Sequence, residues 1–144
     1  MDMASILETL ETEENVSEFL SLVRIAGLED MLRNRGPFTV FVPGDEAVRS
    51  LPAEALQALK ETPERLADML RWHVVVGELF ASEVPSMRNP TIKTMQGAEL
   101  DISRIGEDIV VNDARIARAD IECDNGVVHI IESVLMPQMA EVLA

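Results

Sequence analysis

The sequence has very little cysteine, with Cys123 as the single one among 144 residues. One cysteine excludes an intramolecular disulfide, so packing and hydrogen bonds alone must hold the core together. This count fits a reducing compartment, and a disulfide-free extracellular domain would show the same. Asp120, Glu122 and Asp124 flank Cys123, and their negative charge disfavours the thiolate that a reactive cysteine needs.

Long apolar runs and basic residues are also scarce. No run approaches the roughly 18 apolar residues of a membrane span, and the start, Met-Asp-Met-Ala-Ser, is unlike a signal peptide. Twelve Lys and Arg stand against 26 Asp and Glu, a formal net charge of −14. This acidity argues against nucleic acid and against anionic membranes as partners. Taken literally, the sequence predicts a cytoplasmic chain; a trimmed chain would carry no information on location.

Motifs of catalysis, metal binding and cofactor binding are missing. There is no glycine-rich phosphate loop, no nucleophile elbow, no His-x-x-x-His and no cysteine pair. The two histidines, His73 and His129, are therefore interpreted as structural donors. Strand alternation puts His129 on the face opposite to Val128 and Ile130. We predict no enzymatic activity, no cofactor and no metal.

The clearest signal that is present is the stretch from Gly36 to Ala47. It predicts a central strand with one strongly buried face, formed by Phe38, Val40 and Val42 with Thr39 and Phe41 between them. Pro43 ends the strand because proline cannot donate to a ladder. Asp45 is predicted to cap the helix that follows.

Helical spacing predicts helices before and after this strand. Ser5 or Asp2 is expected to cap the first helix and Asn15 the second, which ends at Gly27. Thr62 is expected to cap a later helix that leads to Trp72 and His73. Trp72 is interpreted as a core wedge rather than an exposed recognition residue. His73 is expected to bond the Asp45 region and to fasten the helix end to the central strand.

The second half of the sequence predicts short strands. They are Thr91–Met95, Ala98–Ser103, Asp108–Val111, Ala114–Arg118 and Val127–Val134. Asn112-Asp113 predicts a hairpin, Asn125-Gly126 a turn between paired strands, and Met136–Leu143 a closing helix. Helices followed by a meander of strands indicate an α+β class in a single domain, 1–144.

Three stretches taken together resemble the fasciclin-like domain, of which this chain looks like a single-domain member. They are Gly36 to Ala47, Trp72-His73-Val-Val, which is similar to a Tyr-His block, and Asn125 to Pro137. Their order and spacing match over about residues 6–137. The motif residues carried over are Thr39, Asp45, Trp72, His73, Asn125, Gly126 and His129. Two departures are Gly44, where the family usually has Thr, and Trp72, where it has Tyr.

The resemblance implies a wedge of two packed β-sheets with N-terminal and central helices covering one side. It implies a non-enzymatic module for cell adhesion or protein interaction, at the cell surface, secreted or periplasmic, and we expect a monomer. The expected partner is a cell-surface or matrix protein, or a glycan. An Asp-Ile pair implicated in integrin binding in animal members aligns with Asp120-Ile121, although we favour Ile121 as a core residue. The alternative function is a small-ligand or lipid-binding domain that uses a cleft between helices and sheet.

Overall fold

The computed structural model describes residues 4–13, 15–78, 91–94, 99–105, 108–111 and 114–134. These residues form six helices, α1 Ile6–Thr12, α2 Ser17–Ala26, α3 Glu29–Asn34, α4 Asp45–Arg49, α5 Ala53–Glu61 and α6 Pro63–Arg71. They also form seven strands, β1 Phe38–Pro43, β2 Val74–Val76, β3 Thr91–Lys93, β4 Glu99–Ile105, β5 Asp108–Val111, β6 Ala114–Cys123 and β7 Gly126–Ile131. The predicted α+β class is confirmed. The predicted hairpin turn at 112–113 and closing helix at 136–143 lie outside the described residues.

The strands pair in the order β2-β1-β7-β6-β5-β4-β3. β1 runs parallel to β7, from Phe38 opposite Gly126 to Pro43 opposite Ile131, and the other neighbouring pairs are antiparallel. A bridge between Val75 in β2 and Thr94 after β3 joins the two ends of this order. The sheet therefore curls until its edges meet. No helix in the described ranges is long and apolar enough to cross a membrane.

Apolar side chains form two clusters, one on each face of β1. The outer cluster lies between the helices and the sheet and includes Phe38, Val40 and Val42. The inner cluster lies inside the curled sheet and consists of Phe41, Val75, Ile102, Val111, Ala114 and Ile131. These inner residues come from both halves of the sheet, which therefore pack against each other. The prediction of one buried face for β1 was too narrow, because all six of its residues are buried.

The helix ends test the capping predictions one by one. Ser5 caps α1 in a capping box, since its Oγ accepts from the Glu8 N–H while the Glu8 carboxylate accepts from the Ser5 N–H. Gly27 ends α2 with a left-handed φ of 74°, as predicted. The prediction for Asn15 was wrong, because Val16 holds the N-cap position of α2. Thr62 holds the N-cap position of α6, but its side chain makes no capping bond within the described chain.

Candidate functional site

Asn125, in the turn between β6 and β7, connects three other elements. Its Oδ1 accepts from the Ile6 N–H at 2.8 Å, at the start of α1. Its Nδ2 donates to the carbonyl oxygens of Leu32 and Arg35, at 2.9 and 2.6 Å, at the end of α3. Its own carbonyl accepts from the Phe38 N–H at 3.0 Å, at the start of β1. We call these four bonds the Asn125 junction; the sequence predicted only the turn.

Two glycines make the Asn125 junction sterically possible. A Cβ at Gly126 would overlap the Phe38 carbonyl oxygen, and a Cβ at Gly36 would overlap the Asn125 carbonyl oxygen. Backbone atoms cannot move aside as a flexible side chain can. The start of β1 and the start of β7 therefore approach each other at a distance that only glycine permits.

Asp45, at the other end of β1, connects α4 to α2. Its Oδ1 accepts from the Glu18 N–H at 2.8 Å, and its Oδ2 accepts from the Ser17 Oγ at 3.1 Å. The Asp45 N–H donates to the Asn15 carbonyl at 2.8 Å. We call these three bonds the Asp45 junction. The carboxylate is buried at the positive end of the α2 dipole, where negative charge is favourable.

The prediction that Asp45 caps its own helix was therefore wrong. Gly44 holds the N-cap position of α4, and Asp45 is the first residue within it. The N-cap residue of α2 is Val16, whose side chain has no oxygen to accept from the first N–H groups. One of them, the Glu18 N–H, is satisfied by Asp45 instead, a residue from another helix.

Gly44 leaves the space into which Asn15 fits. A Cβ at Gly44 would lie 2.9 Å from Asn15 Nδ2, so a threonine there would displace the Asn15 side chain. Asn15 itself has a left-handed φ of 70°, a conformation that asparagine tolerates better than most residues. The glycine at position 44, where the family usually has threonine, thus allows the Asn15 side chain to lie against the main chain of α4's first turn.

His73 is fully buried at the end of α6 and is a donor, as predicted, but the acceptor of its Nδ1 bond is the Met69 carbonyl and not the Asp45 region that the sequence analysis expected. Its Nδ1 lies 2.9 Å from the Met69 carbonyl oxygen, which can only accept, so the proton is on Nδ1. The ring meets Phe19 of α2 edge-on, with centroids 5.9 Å apart. Burial lowers the pKa of His73 to about 4, against the smaller opposing effect of the Met69 bond. The His73 carbonyl accepts from the Phe41 N–H at 2.8 Å, so the main chain fastens this helix end to β1.

His129 lies on the inner face of β7, opposite to Val128 and Ile130, as strand alternation predicted. Its ring stacks on Phe41 with centroids 5.5 Å apart and an interplanar angle of 25°. Its Nδ1 accepts from the Asp120 N–H at 3.0 Å. In this bond the ring is an acceptor, whereas the sequence analysis expected a donor.

Asp120 occupies a bulge in β6 that the sequence did not reveal. The pairing of β6 with β7 shifts register between Arg118 and Ile121, and Asp120 has a left-handed φ of 57°. The Asp120 side chain is 35% exposed. Ile121 is partly buried and packs against the outer cluster, which agrees with the core role we favoured. Both residues of the predicted pair are thus half-buried, Ile121 against the outer cluster and Asp120 with its Oδ1 3.8 Å from His129 Nδ1.

An open depression lies beside this bulge, at the corner between α1 and α2. It has a volume of about 460 Å³ and is lined by Thr12, Glu13, Asn15, Ala117, Arg118 and Ile130. Glu13, at the end of α1, forms an ion pair with Arg118 of β6. We call the depression together with Asp120 the bulge surface. It carries charges of both signs.

The remaining predicted residues serve the interior. Thr39 is fully buried, and its Oγ1 donates to the Gly77 carbonyl at 2.7 Å. Trp72 is partly buried against the inner cluster, and its Nε1 is buried without a hydrogen-bond partner in the described part of the chain. Cys123 is buried with its Sγ 3.2 Å from Thr9 Oγ1, and burial raises the pKa of the thiol. These roles fit the structural interpretation of Thr39 and the wedge interpretation of Trp72.

Across the described ranges, no group of three or more His, Cys, Asp or Glu side chains is arranged to hold a metal ion. The polar side chains at the centre of the site each bond to another part of the chain; they are Thr39, Asp45, His73, Asn125 and His129. The site is therefore a set of structural connections around β1, with a charged surface at the β6 bulge.

Comparison with known proteins identifies relatives of this chain. The family model of the fasciclin domain matches residues 14–137. The uncharacterised protein sll1735 of Synechocystis sp. is 34% identical over 134 residues, which cover 93% of this chain and 98% of that protein. The cell surface glycolipoprotein MPB83 of Mycobacterium bovis is 36% identical over 104 residues, which cover 72% of this chain and 46% of that protein.

A solved structure has the same fold. It is the FAS1 domain pair from the insect cell adhesion molecule Fasciclin I, with a TM-score of 0.78 at 20% identity. The match covers 98% of this chain and 53% of that one. The chain therefore spans about half the length of this domain pair and of MPB83, and nearly all of sll1735.

Proposed function

The chain belongs to the fasciclin domain family, and from that premise we propose that it is a non-enzymatic module for adhesion or protein interaction. The observation that carries this proposal is that the buried and half-buried polar residues around β1 bond to other parts of the chain. Asp45, Asn125 and Thr39 all bond to groups of other elements, and both histidines bond to backbone groups. These bonds hold the helices and strands together, so the surface residues keep fixed positions, as a binding module requires.

The bulge surface is the part of the described chain that we propose makes contact. The Asp120 N–H is bound to the buried His129, which holds the Asp120 backbone in its left-handed conformation. Its carboxylate is partly exposed, with Oδ1 3.8 Å from His129 Nδ1, and Arg118, two residues earlier in β6, pairs with Glu13. Such mixed charge is typical of the polar rim of an interface, where it governs specificity. The proposed partner is a cell-surface or matrix protein, or a glycan, and the module is proposed to act as a monomer.

The names of two matched proteins support this class of function. MPB83 is described as a cell surface glycolipoprotein, and Fasciclin I as a cell adhesion molecule. We propose that this chain likewise works outside the cytoplasm. Fractionation of source cells with intact-mass analysis tests this, because a form found only in the cytosol would contradict a surface role.

The described interior gives no support to the alternative of a ligand cleft between helices and sheet. The outer cluster fills that space with side chains such as Ile6, Leu66 and Val40, none of which is exposed. The depression at the bulge surface is open and carries charges, unlike the apolar cavities that hold lipids.

The proposed contact surface is tested with Asp120→Asn. Asparagine tolerates the left-handed conformation, so the change removes the charge while keeping the bulge. The matched control is Glu54→Gln, which removes one exposed carboxylate from α5. The readout is saturable binding of the fluorescently labelled chain to intact source cells and to arrays of their surface proteins and glycans.

We expect Asp120→Asn to weaken binding about fivefold to tenfold, as for a charge at an interface rim, and Glu54→Gln to leave it unchanged. Equal binding by the two variants would remove the bulge surface from the proposal. No saturable binding of the parent to any of these targets would contradict the adhesion function itself.

A further inference from the structure

Asn125-Gly126 is the sequence most susceptible to deamidation in the described chain. Glycine has no side chain to hinder its amide nitrogen, so the Gly126 nitrogen can attack Asn125 Cγ in a flexible chain. That attack forms a cyclic imide and releases the Nδ2 group as ammonia. Water then opens the imide at either carbonyl, which leaves aspartate or isoaspartate at position 125. No oxidant or further reactant is needed.

We propose that Asn125 is a modification site that the fold protects, and that its deamidation prevents an unfolded chain from returning to the native state. In the native state both ends of the reacting group are held. The Oδ1 and Nδ2 atoms make three hydrogen bonds, to Ile6, Leu32 and Arg35. Attack on Cγ requires the carboxamide to rotate out of these bonds.

The main chain between Asn125 and Gly126 is held as well. The Asn125 carbonyl accepts from the Phe38 N–H, and the Gly126 Cα packs against the Phe38 carbonyl so closely that no Cβ fits. Turning this peptide toward Cγ would break the pairing of β1 with β7 at its first residue. The reaction therefore requires opening of the Asn125 junction, so its rate follows the population of opened chains.

The products do not fit the Asn125 junction. An aspartate can only accept, yet the Nδ2 position faces the carbonyl oxygens of Leu32 and Arg35, which also only accept. The result would be a negative charge against two carbonyl dipoles. Isoaspartate adds a methylene to the main chain beside Gly126, where the close approach to Phe38 leaves no space. A deamidated chain cannot rebuild the start of β1.

The test is to incubate the parent chain at neutral pH in buffer and in guanidinium chloride, and to quantify deamidation by tryptic mass spectrometry. Trypsin releases residues 119–144 as one peptide, because Arg118 is the last basic residue, and Asn125 is its single asparagine. Residues 1–24 form another peptide, in which Asn15 precedes the bulky Val16 and serves as a slow internal reference.

We expect Asn125 to deamidate at least about tenfold faster in guanidinium than in buffer, because local or global opening limits the native rate. Asp45→Ala, which leaves the Asn125 junction intact, should raise the native rate about twofold to thirtyfold by increasing the unfolded population. Equal rates in buffer and guanidinium would overturn the proposed protection. Absence of deamidation in guanidinium would overturn the modification site.

The effect on refolding is tested separately with Asn125→Asp. We expect this variant, and the deamidated fraction of the parent, to show no recovery of the native circular dichroism after dilution from guanidinium. The control is Asn34→Asp, because Asn34 is exposed and its Nδ2 bonds only to Asp30 in the described chain. Recovery of the native circular dichroism by Asn125→Asp, at whatever unfolding midpoint, would contradict the claim that deamidation prevents the return to the native state.

Discussion

The start of β1 is held by the neutral carboxamide of Asn125, and its end by the carboxylate of Asp45. The carboxamide both donates and accepts, so it satisfies an N–H of α1 and two carbonyls of α3 with one side chain. The carboxylate only accepts, and it therefore meets donors alone, an N–H and a hydroxyl at the start of α2. The kind of helix end that each side chain meets thus follows from its hydrogen-bonding groups.

The two ends also differ in the space around them. At the start, Gly36 and Gly126 are in contact with backbone atoms that cannot move aside. At the end, Gly44 faces the tip of the Asn15 side chain, and Glu46 is exposed. We therefore expect substitutions at the start of β1 to cost more stability than those at its end. Four predictions follow this ranking, from the largest effect to the smallest.

Gly126→Ala is expected to lower the free energy of unfolding by more than about 4 kcal/mol, because its Cβ overlaps the Phe38 carbonyl and crowds Ile6. The control is Gly27→Ala, at a position that also has positive φ but open surroundings. That change should cost only about 1–2 kcal/mol, the strain of a left-handed alanine. Guanidinium unfolding followed by circular dichroism measures both, and similar costs would show that the start of β1 has more space than described.

Asn125→Ala is expected to cost about 3 kcal/mol, since three side-chain hydrogen bonds are lost, those to Ile6 and Leu32 being partly buried. Asn34→Ala, on the exposed face of α3, should change stability by less than about 0.5 kcal/mol. The same unfolding experiment compares them. If the two variants lose equally little, the bonds of Asn125 do not stabilise the start of β1.

The buried ring of His73, whose carbonyl bonds to the middle of β1, should make the stability of the fold depend on pH. Its pKa is about 4 in the folded chain against 6.5 for the unfolded reference, so the unfolded state binds a proton more readily between these values. The stability that the neutral ring contributes is fully present above pH 6.5 and is lost as the pH falls to 4. The loss should approach about 3 kcal/mol at the lower end.

The comparison variant is His73→Gln, which does not titrate in this range. It should be less stable than the parent at pH 7, and the difference should narrow toward pH 4; His129 is present in both chains and cancels. Parallel stability curves for the two proteins would show that His73 is not the group responsible. Binding to the targets proposed above should survive in His73→Gln, because the ring is buried.

Asp45→Ala is expected to cost about 0.5–2 kcal/mol, the usual value of a lost helix cap, although the helix affected is α2 rather than α4. Glu46→Ala, one residue along and exposed, should have almost no effect. Thermal melts of the three proteins measure the difference. A cost for Asp45→Ala above that of Asn125→Ala would reverse the ranking of the two ends.

Most of the secondary structure was predictable from residues close together in the sequence. The strand at Phe38–Pro43, the capping box at Ser5, the end of α2 at Gly27 and the turn at Asn125 all depend on residues only a few positions apart. The placement of His129 opposite to Val128 depends on strand alternation alone. Such features are determined by short-range geometry, which the sequence displays directly.

The sequence by itself determined these elements, the α+β class and the family pattern. The tertiary structure alone decided which backbone groups the short polar side chains would bind. Asn125 reaches Ile6 and Leu32, 119 and 93 residues away along the chain, and Asp45 caps a helix that lies before it. The β6 bulge at Asp120 likewise appears only when β6 pairs with β7. The physical reason is that a short polar side chain has many backbone partners of equal chemistry, and only the docking of distant elements selects among them.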